Sequence, residues 1–431
     1  MDAMKRIEPI HKPIAGDISV PGDKSIAHRA VIFGSVARGR TRLFNLSGGD
    51  DNSRTVRAFR QMGVEIFRDG DALCVEGKGW EGLRGPTEAI HCGNSGTTMR
   101  LLAGLLAGRP FYSELDGDAS LRQRPMQRVI DPLSLMGAAI TSKSGNGLAP
   151  LEIRGGGLRA IHYRMPVASA QVKSAILLAA LQAEGTTTLL ESQKSRDHTE
   201  VMLRGFGGEL GVDGPLISLR GGQSLVGQDV RIPGDISSAA FFLIAAAMIA
   251  GSDLTIRSVG CNATRDGVIE VLRRMGAAIE LANERLEAGE RVADIHVTGK
   301  PLKGVTVGPE MVARTIDEYP ILAIAAALAQ GVTTFSDVKE LRYKESDRIA
   351  AMTAGLRNLG VVVDEREDGM TVQGGVRLRG GTVKTYGDHR VAMSFAIAGL
   401  VSDGAVEIDD AGCVDISFPN FFALLEKICL H

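Results

Sequence analysis

Apolar and polar positions along this chain follow one long pattern that returns about every 70 residues. Each repeat opens on a small polar cluster and runs into an Ala/Leu-rich stretch with helical spacing. A Gly-then-Thr turn follows, then a short apolar strand, then a second amphipathic stretch ending in Met-Gly or Leu-Gly. The openings read PGDKSIAHR from Pro21, GNSGTTMR from Gly93, SAQVKSA from Ser169, PGDISSAAF from Pro233, DEYPILA from Asp317 and GDHRVAM from Gly387. The closings read FRQMGVEI, LSLMGAAI, LRGFGGEL, LRRMGAAI and LRNLGVVV, and the last repeat stops early at FFALLEKICLH.

The pattern predicts the elements of a repeat in the order helix, strand, helix, hairpin. Ser25, Ser95, Ser169 and Ser237 are of the type that caps a helix N-terminus, and helical spacing follows them. RTRLFNL, GTTTLLES, SDLTIRSV and GVTTFSDV are short and β-branched, hence strands. Second helices are predicted over Ser53–Gln61, Arg128–Met136, Thr199–Gly205, Asp266–Met275 and Ser346–Leu359. Paired strands around a polar turn, as in VEIFRDGDALCVEG and VVVDEREDGMTVQG, close the repeat. Strands alternating with helices at this spacing make an α/β protein. The matching ISVPGD and VRIPGD segments suggest the two places where a three-repeat domain begins.

Length supports that division, because 431 residues exceed the size at which one core keeps growing. A net charge of −2, from 49 basic and 51 acidic residues, argues against nucleic acid or membrane held by bulk charge. Aromatics are 4% of residues, too few to stack a single strand of bases. Cys74, Cys92, Cys261, Cys413 and Cys429 are scattered, so neither a disulfide framework nor a zinc site is signalled. MDAMKRIEPI lacks the apolar segment of a secretory leader, and Ala239–Ala250 is too short to span a bilayer. The expectation is a soluble, cytoplasmic protein.

Repetition also acts as an internal control. PGDKSIAHRA and PGDISSAAFF agree at Pro21/Pro233, Gly22/Gly234, Asp23/Asp235 and Ser25/Ser237, which marks framework. They differ where Lys24 faces Ile236 and Arg29 faces Phe241. A cation in a first helical turn opposes the macrodipole at about 0.3–1 kcal/mol, and a bound anion reverses that sign. Asp23 between Gly22 and Lys24 excludes a Walker loop. Further cations recur: Arg100, Arg390, the Arg122/Arg124/Arg128 set around Pro125, Lys344 and Arg348 in YKESDR, and Arg196 in SRDH. Such a set suits more than one phosphate or carboxylate, although any single arginine is more often a surface ion pair.

The fifth opening differs, offering Asp317 and Glu318 before its apolar helix. Acidic residues there are good helix starters; among cations gripping an anion, Asp317 would be an acceptor and Glu345 could exchange protons. No GxSxG, HExxH or paired-cysteine motif occurs, and RGGGLRA (154–160) sits in a closing hairpin rather than between strand and helix. Direct transfer between bound anions, driven by positioning and electrostatics, fits what remains.

PGDKSIAHRA, GNSGTTMRLL, DGDASLRQRPMQRV, SAQVKSA, IDEYPILA, RYKESDR and GDHRVAMSF together resemble the motif set of the 5-enolpyruvylshikimate-3-phosphate synthases, in order and over essentially the whole chain. The wording is closer to the bacterial class II type. The resemblance implies the two-domain enolpyruvyl transferase fold, an inside-out α/β barrel of six βαβαββ repeats. Residues 21–233 would form the N-terminal domain, and 1–20 with 234–431 the C-terminal one, with the active site in the interdomain cleft.

It also implies roles. Lys24, Ser25 and Arg29 would hold shikimate-3-phosphate, continued by Ser169, Ala170, Gln171 and Arg196. Lys24, Asn94, Gly96, Arg124, Gln171, Lys344, Arg348 and Arg390 would bind phosphoenolpyruvate. Asp317 would accept the 5-hydroxyl proton, Lys344 would position both substrates, and Glu345 would protonate the enol methylene. No cofactor, metal, nucleic acid or membrane partner is implied, and a monomer is expected. The run DISFPNFF carries Ile416 where class I enzymes have a lysine, and Gly96 lacks the methyl found in glyphosate-tolerant class II members. UDP-N-acetylglucosamine enolpyruvyl transferase is the nearest alternative, but DGDASLRQRPM has no reactive cysteine. A non-catalytic anion-binding scaffold would explain the repeats but not the unit-specific cations.

Overall fold

The structure, a computed structural model, describes residues 4–10 and 12–429. Two compact units are separable: an N-terminal unit, Gly22–Ile232 with Leu286–Glu290, and a C-terminal unit holding the residues up to Pro21, Pro233–Arg285 and Arg291 onward. The outermost limits expected for the domains, residues 1 and 431, lie outside the described residues.

In the N-terminal unit, three inner helices carry the Ala/Leu-rich stretches and three outer ones the amphipathic stretches. They run α1 (Lys24–Val36), α2 (Asp50–Gln61), α3 (Gly96–Ala107), α4 (Gln127–Leu135), α5 (Ala170–Ala180) and α6 (His198–Gly205). Each repeat contributes to a four-stranded sheet of one topology. An opening strand lies parallel to the strand after the inner helix, and a hairpin completes the sheet antiparallel, as in 229–231, 38–44, 72–78 and 65–69. Helices α1, α3 and α5 are buried on every side, which is why their sequences are apolar on most of every face. Their only residues not fully buried, Lys24, Ser25, Thr97, Ala170 and Gln171, lie in the first turns. Only there can an inner helix meet a ligand.

The C-terminal unit repeats the plan with α7 (Ile236–Met248), α8 (Gly267–Arg274), α9 (Pro309–Thr315), α10 (Tyr319–Leu328), α11 (Arg348–Asn358), α12 (His389–Leu400) and α13 (Phe421–Cys429). The short α9 was not anticipated; it starts on Pro309, whose fixed φ and missing N–H suit a first helical position. The shortened sixth repeat lacks a hairpin. Its sheet has three strands, and Lys5–Ile7 pairs antiparallel with Val406–Ile408 in the hairpin's place. Among the described residues no helix is long and apolar enough to cross a membrane.

One local reading needs correction. Ser25 and Ser237 are not caps. Asp23 and Asp235 are, accepting from the N–H groups of Ile26 and Ser237, because each aspartate has the extended backbone that lets its side chain reach back over the first turn. Ser95 and Ser169 do cap α3 and α5. The strand before each PGD segment does not pair with the strand that follows it. Ala15–Ser19 lies beside Asp253–Gly260, and Asp229–Arg231 beside Arg38–Phe44, so each belongs to the unit the chain is leaving.

Behind the first turns, inner helices α1 and α3 are tied through α2 by a buried polar chain. His28 Nδ1 lies 2.7 Å from Thr55 Oγ1, which lies 2.8 Å from Thr98 Oγ1, and Thr98 donates to Ser95 Oγ at 2.9 Å. Burial pushes the His28 imidazole down to about 3. The unfolded chain therefore takes up a proton below pH 6.5 that the folded protein refuses until about pH 3, and stability falls as pH drops through that window. We expect the unfolding free energy to lose about 1.4 kcal/mol per pH unit from this group below pH 6. Urea titrations from pH 7.5 to 4.5 should show a shallower dependence in His28→Asn; an unchanged slope would count against it.

Candidate active site

The charged residues singled out in the N-terminal unit sit in the first two turns of a helix or in the loop just before one. Lys24 is the first residue of α1, and its Nζ lies 2.9 Å from Asp51 Oδ2 at the start of α2. Gly96 begins α3, and a Cβ built there would stand 2.8 Å from Arg100 Nη1 and 3.5 Å from Arg124 Nη1. Arg124 donates to Asn94 Oδ1, while Asn94 donates to Asp118 Oδ2 at 2.9 Å. Ser169 caps α5, which leaves the N–H groups of Ala170 and Gln171 at its open end. The Gln171 side chain is gripped from both sides, accepting from Arg100 Nη1 at 2.7 Å and donating to Thr97 Oγ1 at 2.9 Å.

Arg29 lies deeper, 3% exposed. Its guanidinium donates to Thr199 Oγ1 at 2.6 Å, Ser174 Oγ at 2.7 Å and the Ser25 carbonyl at 2.9 Å. Burial pulls its pKa down to about 10, against the attraction of Glu200, so it keeps its charge at neutral pH. Arg196, half-buried in the loop before α6, is close enough to lower the Arg29 pKa as a like charge. Cations and helix N-terminal amides thus recur across all three repeats of this unit. That arrangement suits a phosphate or carboxylate.

The C-terminal unit carries a different constellation, built around one guanidinium. Arg348, the first residue of α11, is 1% exposed. Its Nε lies 2.8 Å from Asp388 Oδ2, its Nη2 2.6 Å from Glu345 Oε2, and its Nη1 3.5 Å from Asp317 Oδ1. Burial works against the charged guanidinium, but Asp388 and Glu345 hold its pKa above the ordinary value. Burial likewise would lift the Asp388 carboxyl; Arg348 overrides it and holds that pKa below the usual range. Lys344 Nζ approaches Asp317 Oδ1 at 3.6 Å, and Arg390 Nη1 donates to the Asp317 carbonyl at 3.2 Å. Asp317, Lys344, Glu345, Arg348 and Arg390 therefore meet in one place. Of the three carboxylates on that guanidinium, Asp317 and Glu345 are the candidates to take and return protons from fixed positions.

The EPSP synthase (3-phosphoshikimate 1-carboxyvinyltransferase) family profile matches residues 9–425. A relative of that name from Geobacter metallireducens is 52% identical over 418 residues, 97% of each chain. Another, from Bacillus thuringiensis, is 47% identical over 424 residues, 98% of this chain and 99% of its own. A solved EPSP synthase structure from Acinetobacter baumannii matches with a TM-score of 0.89 at 45% identity, covering 99% of this chain and 98% of that one. The chain belongs to the EPSP synthase family. As an EPSP synthase family member it has the two-domain enolpyruvyl transferase fold that the resemblance implied.

Sequence reasoning left parts of the candidate site of this EPSP synthase family member unassigned. Asp51, the partner of Lys24, reads as an ordinary acidic helix start. Asp388 reads as part of GDHR, yet it both caps α12 and forms a two-bond pair with Arg348. Arg100 stood near the second opening without a role, and the structure puts it on Gln171. Ile416, where class I members have lysine, ends a short 3-10 turn and packs against the core of its unit.

Proposed function

We propose that this protein transfers the enolpyruvyl group of phosphoenolpyruvate to the 5-hydroxyl of shikimate-3-phosphate, in the shikimate pathway of aromatic amino-acid biosynthesis. The observation that carries this is full-length similarity to 3-phosphoshikimate 1-carboxyvinyltransferases, with the motif residues on helix first turns and around Arg348. Lys24, Ser25, Arg29, Ser169, Ala170, Gln171 and Arg196 bind shikimate-3-phosphate, with Asp317 and Lys344. Lys24, Asn94, Gly96, Arg124, Gln171, Lys344, Arg348 and Arg390 bind phosphoenolpyruvate.

Asp317 takes the 5-hydroxyl proton as the oxygen attacks C2 of phosphoenolpyruvate, and Glu345 delivers a proton to C3. The tetrahedral adduct then loses phosphate, which departs with the proton Asp317 had taken, while Glu345 recovers a proton from the new methyl group, restoring the enol double bond. The catalytic work is electrostatic: fixed cations and amides hold two multiply charged reactants together. The protein acts as a cytoplasmic monomer and uses neither a metal nor a cofactor.

The test is phosphate release from shikimate-3-phosphate and phosphoenolpyruvate in the presence of a chelator. Stoichiometric phosphate and 5-enolpyruvylshikimate-3-phosphate are expected; release with UDP-N-acetylglucosamine and not with shikimate-3-phosphate would overturn the proposal. Gly96 adds a second expectation. With no methyl beside Arg100 and Arg124, the phosphoenolpyruvate subsite admits glyphosate, and inhibition should be competitive with phosphoenolpyruvate. Absence of competition at glyphosate well above the phosphoenolpyruvate KM would reject it.

A further inference from the structure

Aligning the six inner helices on their caps, Asp23, Ser95, Ser169, Asp235, Glu318 and Asp388, isolates one residue that the reaction has not used. The fourth helical position is Ala27, Met99, Ala239, Leu322 and Ala392 in five of them, all fully buried. In α5 it is Lys173, also at 0% exposure. The fold accepts a small or apolar side chain here, so the ammonium is not framework.

Lys173 Nζ is surrounded by three acceptors from two other segments. Glu200 Oε1, on the first turn of α6, is 2.7 Å away. Glu191 Oε1, just after strand 186–190, is 3.2 Å away, and the Ser195 carbonyl 3.3 Å away. Glu191 Oε1 in turn accepts from the Ser195 N–H at 3.0 Å and from its hydroxyl. The group thus clamps a loop at both ends, and the next residue in that loop is Arg196. Beside it, Thr199 on α6 and Ser174 on α5 share a 2.6 Å hydrogen bond and both accept from Arg29. Two buried cations, Lys173 and Arg29, are matched by two buried carboxylates, Glu191 and Glu200.

We propose that Lys173, held by Glu191 and Glu200, is a positioning residue for shikimate-3-phosphate. It locks the Arg196 loop and α6 against the first turn of α5, and so aligns Arg29, Arg196 and the Ala170 and Gln171 amides on the substrate's phosphate. The inference rests on the substrate assignment above. A buried ionic group of this kind is replaceable by apolar packing as far as stability goes, and geometry is what it adds.

The test varies each substrate in turn. Lys173→Met should raise the shikimate-3-phosphate KM about 10-fold or more, while the phosphoenolpyruvate KM stays within about 2-fold. If Lys173→Met does not fold, as judged by circular dichroism, Glu191→Gln carries the same expectation, because it keeps the shape and an acceptor for Ser195 while removing the charge. A folded variant with the wild-type shikimate-3-phosphate KM overturns the inference, and so does an equal rise in both KM values, which general loosening would give. In either case wild-type turnover leaves the proposed function standing. Wild-type protein that releases no phosphate from the two substrates overturns that function and this inference with it.

Discussion

Glu345→Gln should lower kcat by about 10²- to 10⁴-fold, the range for losing a positioned acid–base group. Glutamine matches glutamate in size and keeps an oxygen for the Arg348 Nη2 hydrogen that Glu345 now accepts at 2.6 Å. Arg348 remains bonded to Asp388, so the buried hub survives and the protein should fold normally. On the proposed mechanism, what is lost is the group that gives a proton to C3 and takes one back. The KM values should change little, because the loss falls on the transition state rather than on binding. Rapid-quench single turnovers, with circular dichroism to confirm folding, would check this. Wild-type kcat in a folded variant would remove Glu345 from the chemistry.

Lys24→Ala is expected to reduce kcat/KM by about 10²- to 10³-fold, as for other preorganised charges aimed at developing negative charge. Lys24 opens α1 beside the N–H groups of its first turn, and Asp51 holds its ammonium at 2.9 Å. That contact keeps a flexible side chain in place before substrate arrives. On the proposed assignment, removing it leaves the Asp51 carboxylate where an anionic reactant binds, so the loss exceeds that of one contact. Lys24→Arg should rescue only in part, since a planar fork cannot reproduce a compact ammonium. Full phosphate release by Lys24→Ala would instead favour a scaffold that merely binds anions.

Much of the architecture was legible because its signals are local. Helix periodicity, Gly-Thr turns and PGD or Ser caps recur within a few residues of one another, and the helices fall within three residues of the predicted ends. The cap identities at Asp23 and Asp235 were misread because PGDKS and PGDIS each offer two capping side chains, and only backbone geometry chooses between them. The residues of the site were legible for a related reason. Repetition shows what the framework needs, and cations that break the pattern stand out against it.

By itself, then, the sequence determined the repeat, its elements, the family and which side chains carry charge at helix starts. These depend on spacing along the chain and on residue chemistry. Tertiary structure alone decided which strands pair across the PGD segments, that Lys5–Ile7 completes the sixth sheet, and that residues 317, 345 and 388 converge on Arg348. It also decided that Lys173 is buried among Glu191 and Glu200. The physical reason is that strand partners and buried ion pairs are chosen by packing between segments far apart in sequence, where no local period reports them.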